Sequence, residues 1–161
     1  ITIDRAALDL VAALPQVGES DAAHAQEHSL EVHLPFLQKM LGDGFKLAPF
    51  AVGQASNTEV AQVLDALWGG PETLIVISTD LSHFLTYDEA HTLDRRTAQA
   101  IEAFDWQAIG RDQACGRIPM SGLLTSAPAH GLEVTRVGFC NSGDTAGDRN
   151  RVVGYGAWVL Q

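Results

Sequence analysis

The chain has 161 residues, 46% of them hydrophobic, with a formal net charge of −10; this is enough apolar material for the core of one domain, and the wrong charge for a nucleic-acid partner, which needs a clustered basic surface. No apolar run reaches the roughly 20 residues that cross a bilayer, so no membrane partner is expected. Two cysteines, Cys115 and Cys140, are too few for a disulfide scaffold, and a cytoplasmic, reducing setting is the expected localisation.

Residues 3–14 carry Leu8, Val11 and Leu14 at helical spacing, and Pro15 and Gly18 stop that helix. A polar loop, GESDAAHAQE, follows. From His28 to Leu41 the pattern is helical again, with Leu30, Leu34, Leu37 and Leu41 on one stripe and Pro35 marking a kink or break. FKLAPFAV reads as a strand, with Pro49 at an edge or irregular position. Ser56-Asn57-Thr58-Glu59 is a capping box that opens a helix bearing Val60, Val63, Leu64 and Leu67, ended by Gly69, Gly70 and Pro71.

TLIVIST (73–79) has the near-continuous apolar character of a central strand covered on both faces. Thr86 to Glu89 forms a second capping box, and its helix runs to about Phe104. A short helix starts after Asp105. Pro119 suits the first position of another helix, which ends near Gly131. LEVTRVGF and RVVGYGAWVL read as two strands joined by a long loop, and antiparallel pairing is expected between them. The element order predicts one α/β domain, a mixed β-sheet with helices packed on it.

Candidate chemistry falls in four places. The strand TLIVIST delivers Asp80 to its carboxyl end, where open α/β sheets bind ligands, and His83 follows three residues later. An Asp beside a His can fix the ring's tautomer for acid–base work; the competing reading is a turn-capping Asp and a satisfied His. HAQEHSLEVH (24–33) holds His24, Glu27, His28, Glu31 and His33. His24 and His28 would share a face only if that stretch were helical, and one pocket-facing histidine is expected rather than a self-contained metal site. Cys115 lies in ACGRIP, before a Gly and a helix start, where a thiolate is favoured as ligand or nucleophile; the alternative is a small buried hydrophobe. Cys140 reads as a strand-end thiol packed inside. NSGDTAGD (141–148) lacks the carboxylate spacing of a calcium loop, and turn chemistry accounts for most of it.

Taken together, EHSLEVHLPFL (27–37), STDLSHF (78–84), CGRIP (115–119), NSGD and VVGYGA resemble, in the same order, the motifs of the Memo family, whose prokaryotic members are called AmmeMemoRadiSam system protein B. The resemblance implies a fold like that of the class III extradiol ring-cleaving dioxygenases, which use non-haem Fe(II). It implies that Cys115 is a metal ligand, for Fe(II) or copper, in place of a carboxylate. Asp80, His83 and His28 would then lie in the same pocket, with His83 as the acid–base group. Family members begin with a further portion carrying two more histidines, so this chain matches their C-terminal part, and the rest of the site is expected from that portion or from another chain. A small-molecule or peptide ligand is implied, the latter with Arg111 and Arg117 flanking Cys115, and the family's prokaryotic name implies a radical-SAM partner protein.

Overall fold

The computed structural model describes residues 1–145 and 147–161. Strand β1 (Thr2–Ile3) pairs in parallel with β2 (Lys46–Leu47). Between them lie α1 (Arg5–Val11), α2 (Asp21–His24) and α3 (Leu34–Leu41). Helix α1 starts later than its periodicity predicts because Asp4 caps it, accepting from Ala7 N–H, and it ends at Val11, short of Leu14. The helix expected from His28 begins only at Leu34, after a 3₁₀ turn over Glu31–His33, and Pro35 occupies its first turn, where a missing N–H costs nothing.

Helix α4 (Asn57–Leu67) is opened by the predicted capping box, with Ser56 and Glu59 satisfying each other's N–H groups. Strand β3 (His83–Leu85) precedes α5 (Tyr87–Glu102), whose box is formed by Thr86 and Glu89. Helix α5 stops where Phe104 adopts φ +54°. Helix α6 (Arg117–Ser126) starts two residues before Pro119 and passes through a 3₁₀ turn, Ala127–His130, to left-handed Gly131. Strands β4 (Val134–Asn141) and β5 (Val152–Leu160) pair antiparallel as expected.

The protein is α/β, but the single mixed sheet is replaced by two small ones: the parallel β1–β2 pair and an antiparallel sheet in the order β3–β5–β4. The expected central strand at 73–79 is the reason. These residues join no ladder among the described residues, and Leu74 and Val76 remain 63% and 45% exposed. An apolar segment suited to cover on both faces here packs Ile77 on the core, and the chain meets β5 through backbone hydrogen bonds only just past it, where Leu81 N–H donates to Gly154 O and Gly154 N–H to Ser82 O. Likewise FKLAPFAV contributes only the two residues of β2.

The main core gathers Ala100 and Ile101 of α5, Ile109, Ala114, and Met120 and Leu124 of α6, with Ile77, Phe104, Trp106, Val134 and Trp158 against it. Helices α4 and α6 cross at Gly122, where a Cβ would fall 2.3 Å from Val60 Cγ1. Asn57 Nδ2 donates to Thr125 Oγ1 (3.0 Å) at the same crossing. Asn141 caps a 3₁₀ turn over Ser142–Asp144, confirming turn chemistry for the described part of NSGDTAGD; Ala146 lies outside the described residues. Asp144 is held below the ordinary aspartate range, first by the Tyr87 hydroxyl (2.7 Å) and then by Asn141 N–H (2.8 Å).

This packing has measurable consequences. Gly122→Ala should separate α4 from α6 and lower unfolding free energy in urea by about 1–3 kcal/mol; an unchanged midpoint would show that the crossing tolerates a methyl group. A depressed carboxylate contributes stability at neutral pH that is lost as pH falls through its folded pKa. Tyr87→Phe should therefore move the Asp144 midpoint, read by carboxyl ¹³C NMR, upward toward that of an ordinary aspartate, and shrink this acid-labile contribution.

Candidate metal centre

The site begins with the close approach of two chain segments. A Cβ on Gly116 would lie 2.3 Å from Ser78 O and 2.7 Å from Thr79 Cβ. Only a residue without a side chain lets the turn before α6 lie this near 78–80. The contact is stitched by hydrogen bonds: Gly116 N–H donates to Thr79 Oγ1 (2.8 Å), Cys115 N–H to Asp80 O (3.3 Å), and Asp80 N–H to Cys115 Sγ (3.1 Å). Thr79 Oγ1 also donates to Asp80 O (2.7 Å) and stands 3.7 Å from the sulfur. Cys115 thus sits at the positive end of α6 with a backbone N–H aimed at its sulfur, surroundings that suit an anionic ligand atom.

A second set of contacts fixes His83. It lies opposite Val153 in the β3–β5 ladder, and the register shifts between His83 and Leu85. The bulged residue, Phe84, adopts φ +62°, a left-handed conformation that is strained for a bulky side chain. Its ring is 60% exposed and carries the Arg151 guanidinium 4.2 Å from its centroid. Beneath the loop, Asp94 of α5 is 1% exposed and accepts from Ser82 N–H (2.9 Å). Gly154 leaves the room this carboxylate needs, since a Cβ there would fall 1.9 Å from Asp94 Oδ2. Burial pushes the Asp94 carboxyl above the ordinary aspartate range, against the lowering effect of the Ser82 hydrogen bond.

These contacts bring Asp80, His83 and Cys115 together, with one ligand atom from each lying within 4.8 Å of the others. His83 Nε2 is 3.6 Å from Asp80 Oδ2, and both side chains are partly open to solvent, 33% and 47%. Two atoms bound to one ion at 2.0–2.3 Å stand about 3.3–3.8 Å apart in tetrahedral geometry. The sulfur, imidazole and carboxylate lie near that spacing, and as a donor set they fit a transition metal better than a hard oxygen-seeking cation.

His28 is exposed in the loop after α2 and is not a member of this cluster. His24 ends α2 and His33 ends a 3₁₀ turn, so the stretch is not one helix and the i,i+4 histidine pair does not share a helical face. Glu27 turns back to accept from Ser29 N–H (2.8 Å). Both cysteines are free, and Cys140 is exposed rather than packed inside. Asp94, Thr79 and Gly154 were not visible as site residues in the sequence; an Asp among the small, core-facing residues Ala90, Thr97 and Ala98 of α5 is the signal that marks the first.

A family model described as Memo-like protein matches residues 1–159. Among curated relatives, the MEMO1 family protein of Methanosarcina mazei is 33% identical over 157 residues, covering 90% of this chain and 59% of its own length. Those of Methanococcoides burtonii and Archaeoglobus fulgidus are 35% and 32% identical, covering 88% and 95% of this chain but 58% and 63% of their own lengths. The chain thus spans about three-fifths of the relatives it matches, and along nearly all of its own length it is a member of the Memo family.

Proposed function

We propose that the chain forms one wall of a metal-binding pocket related to that of the class III extradiol dioxygenases, with Cys115 as a metal ligand, His83 as the proton-carrying group and Asp80 as the carboxylate that orients it. The observation that supports this reading is the convergence of thiol, imidazole and carboxylate within 4.8 Å. The donor set suits Fe(II), with copper as the alternative that a thiolate also favours. When bound, such an ion supplies the redox chemistry that joins an oxidisable substrate to dioxygen.

The chain's own residues have distinct roles in this proposal. The Asp80 and Cys115 backbones fix the sulfur before any ligand arrives. His83 is open enough to exchange a proton with substrate or water, and Asp80 constrains its ring. With Cys115 as the one ligand from this chain, the other coordination positions are left for residues outside these 161. A role for His28 as a further acid–base group requires its loop to fold over the centre. A second reading, binding of a small molecule or peptide without chemistry, draws on the openness of the site, where Cys115 and Phe84 are both exposed.

Anaerobic titration with Fe(II) tests the proposal. Cys115→Ser should weaken iron binding by at least about tenfold, the scale at which metal sites respond to altered coordination; equal affinity would refute ligation by the thiol. His83→Asn should keep the iron and abolish any turnover of a catechol, whereas loss of iron by the same factor as Cys115→Ser would make His83 a ligand instead. Gly116→Ala keeps every donor but forces the 115–116 turn away from Ser78, and should weaken iron binding while the far-UV circular dichroism is retained. Undiminished affinity there would show that the close approach is dispensable.

A further inference from the structure

A surface cavity of about 490 Å³ lies apart from the candidate metal centre, between α5 and the edge strand β4. Helix α5 contributes His91, Arg95, Gln99 and Glu102 along one face, at helical spacing. Strand β4 contributes Arg136 and Phe139, three residues apart, and a shift of register between Arg136 and Gly138 brings them to the same side. The rings and guanidinium groups form a continuous ladder. Arg149 lies 4.4 Å above Tyr87, Tyr87 stacks on His91 at 6.2 Å, His91 meets Phe139 edge-on at 6.1 Å, and Arg136 lies 5.3 Å from the Phe139 centroid.

The charge here opposes that of the chain as a whole. Glu102, the carboxylate in the cavity, is already committed to Arg136 Nε (3.2 Å) and Trp158 Nε1 (3.4 Å). Arg95 has no ion-pair partner among the described residues, and one edge of the Arg136 guanidinium remains for another acceptor. Two arginine forks, Arg136 over the Phe139 face and Arg95 across from it on α5, with the Gln99 amide in the same lining, match an anion carried on a molecule with a planar ring: arginine binds phosphate through paired N–H groups, and a flat ring can extend the stack. The volume is within the range of small-molecule sites.

We infer that this groove is a binding site for a ligand of the nucleoside monophosphate class, a phosphate joined through a sugar to a planar heterocycle, with Arg95 and Arg136 on the phosphate and His91 and Phe139 beside the ring. The site shares no residue with the candidate metal centre. The test uses adenosine monophosphate, adenosine and inorganic phosphate as probes, with affinities from calorimetry and side-chain NMR of His91 and Phe139. Adenosine monophosphate should bind more tightly than either fragment and shift both rings. Arg95→Gln, at an exposed position, should weaken it by about tenfold or more, and Arg95→Lys by less, while Fe(II) binding at Cys115 is unchanged. The inference is overturned if adenosine monophosphate leaves both rings unperturbed, if Arg95→Gln binds as well as the parent chain, or if either fragment alone binds as tightly as the whole.

Discussion

The structure depends on the near contact between the backbone at 78–80 and the turn at 115–116. Gly116 makes that distance possible, and the hydrogen bonds across it make it persistent. Through this contact the end of an apolar segment and the start of α6 become one local surface. A thiol from one and a carboxylate and imidazole from the other then face each other, although they are separated along the chain. Without it, Asp80 and His83 would be a polar turn and Cys115 a lone thiol before a helix.

A second brace works from below. The loop 80–83 is pinned on one side by Gly154 of β5 and on the other by Asp94 of α5. An acid at 1% exposure is costly to keep charged, and its hydrogen bond from Ser82 offsets only part of that cost. Its placement makes sense as the support of a loop that must not move. The strained backbone at Phe84 belongs to the same device, because the bulge it creates shifts the register between His83 and Leu85, immediately after His83 is presented. These contacts hold the loop that carries Asp80 and His83 in one place.

Much of this was legible in the residues. Both capping boxes, the two terminal strands and their antiparallel pairing follow from local rules that depend on few neighbours. The grouping of Asp80 and His83 with Cys115 was implied by the family motifs; the strand end expected to deliver Asp80 is not formed among the described residues. The segment 73–79 shows where such reasoning stops: its composition states what cover it needs, but a ladder forms only if another strand lies beside it, and that is a property of the whole assembly. The His24–His28 pair shows a second limit, since helical spacing has meaning only where a helix forms, and the stretch between α2 and α3 breaks into turns. Asp94 shows a third: a buried acid on a helix is recognisable only once the facing loop and Gly154 are known.

Membership of the Memo family gives these contacts a common setting, and the proposed pocket gives each of them a purpose. Gly116 and Thr79 place the sulfur, Asp94 and Gly154 hold the loop, and Asp80 constrains His83. The central claim is that the sulfur of Cys115 binds a metal ion from the position this scaffold gives it. X-ray absorption spectroscopy at the iron edge, on protein loaded with Fe(II) without oxygen, tests it most directly. The account predicts a sulfur scatterer in the innermost shell beside lighter nitrogen and oxygen neighbours; a shell composed of nitrogen and oxygen alone would contradict it.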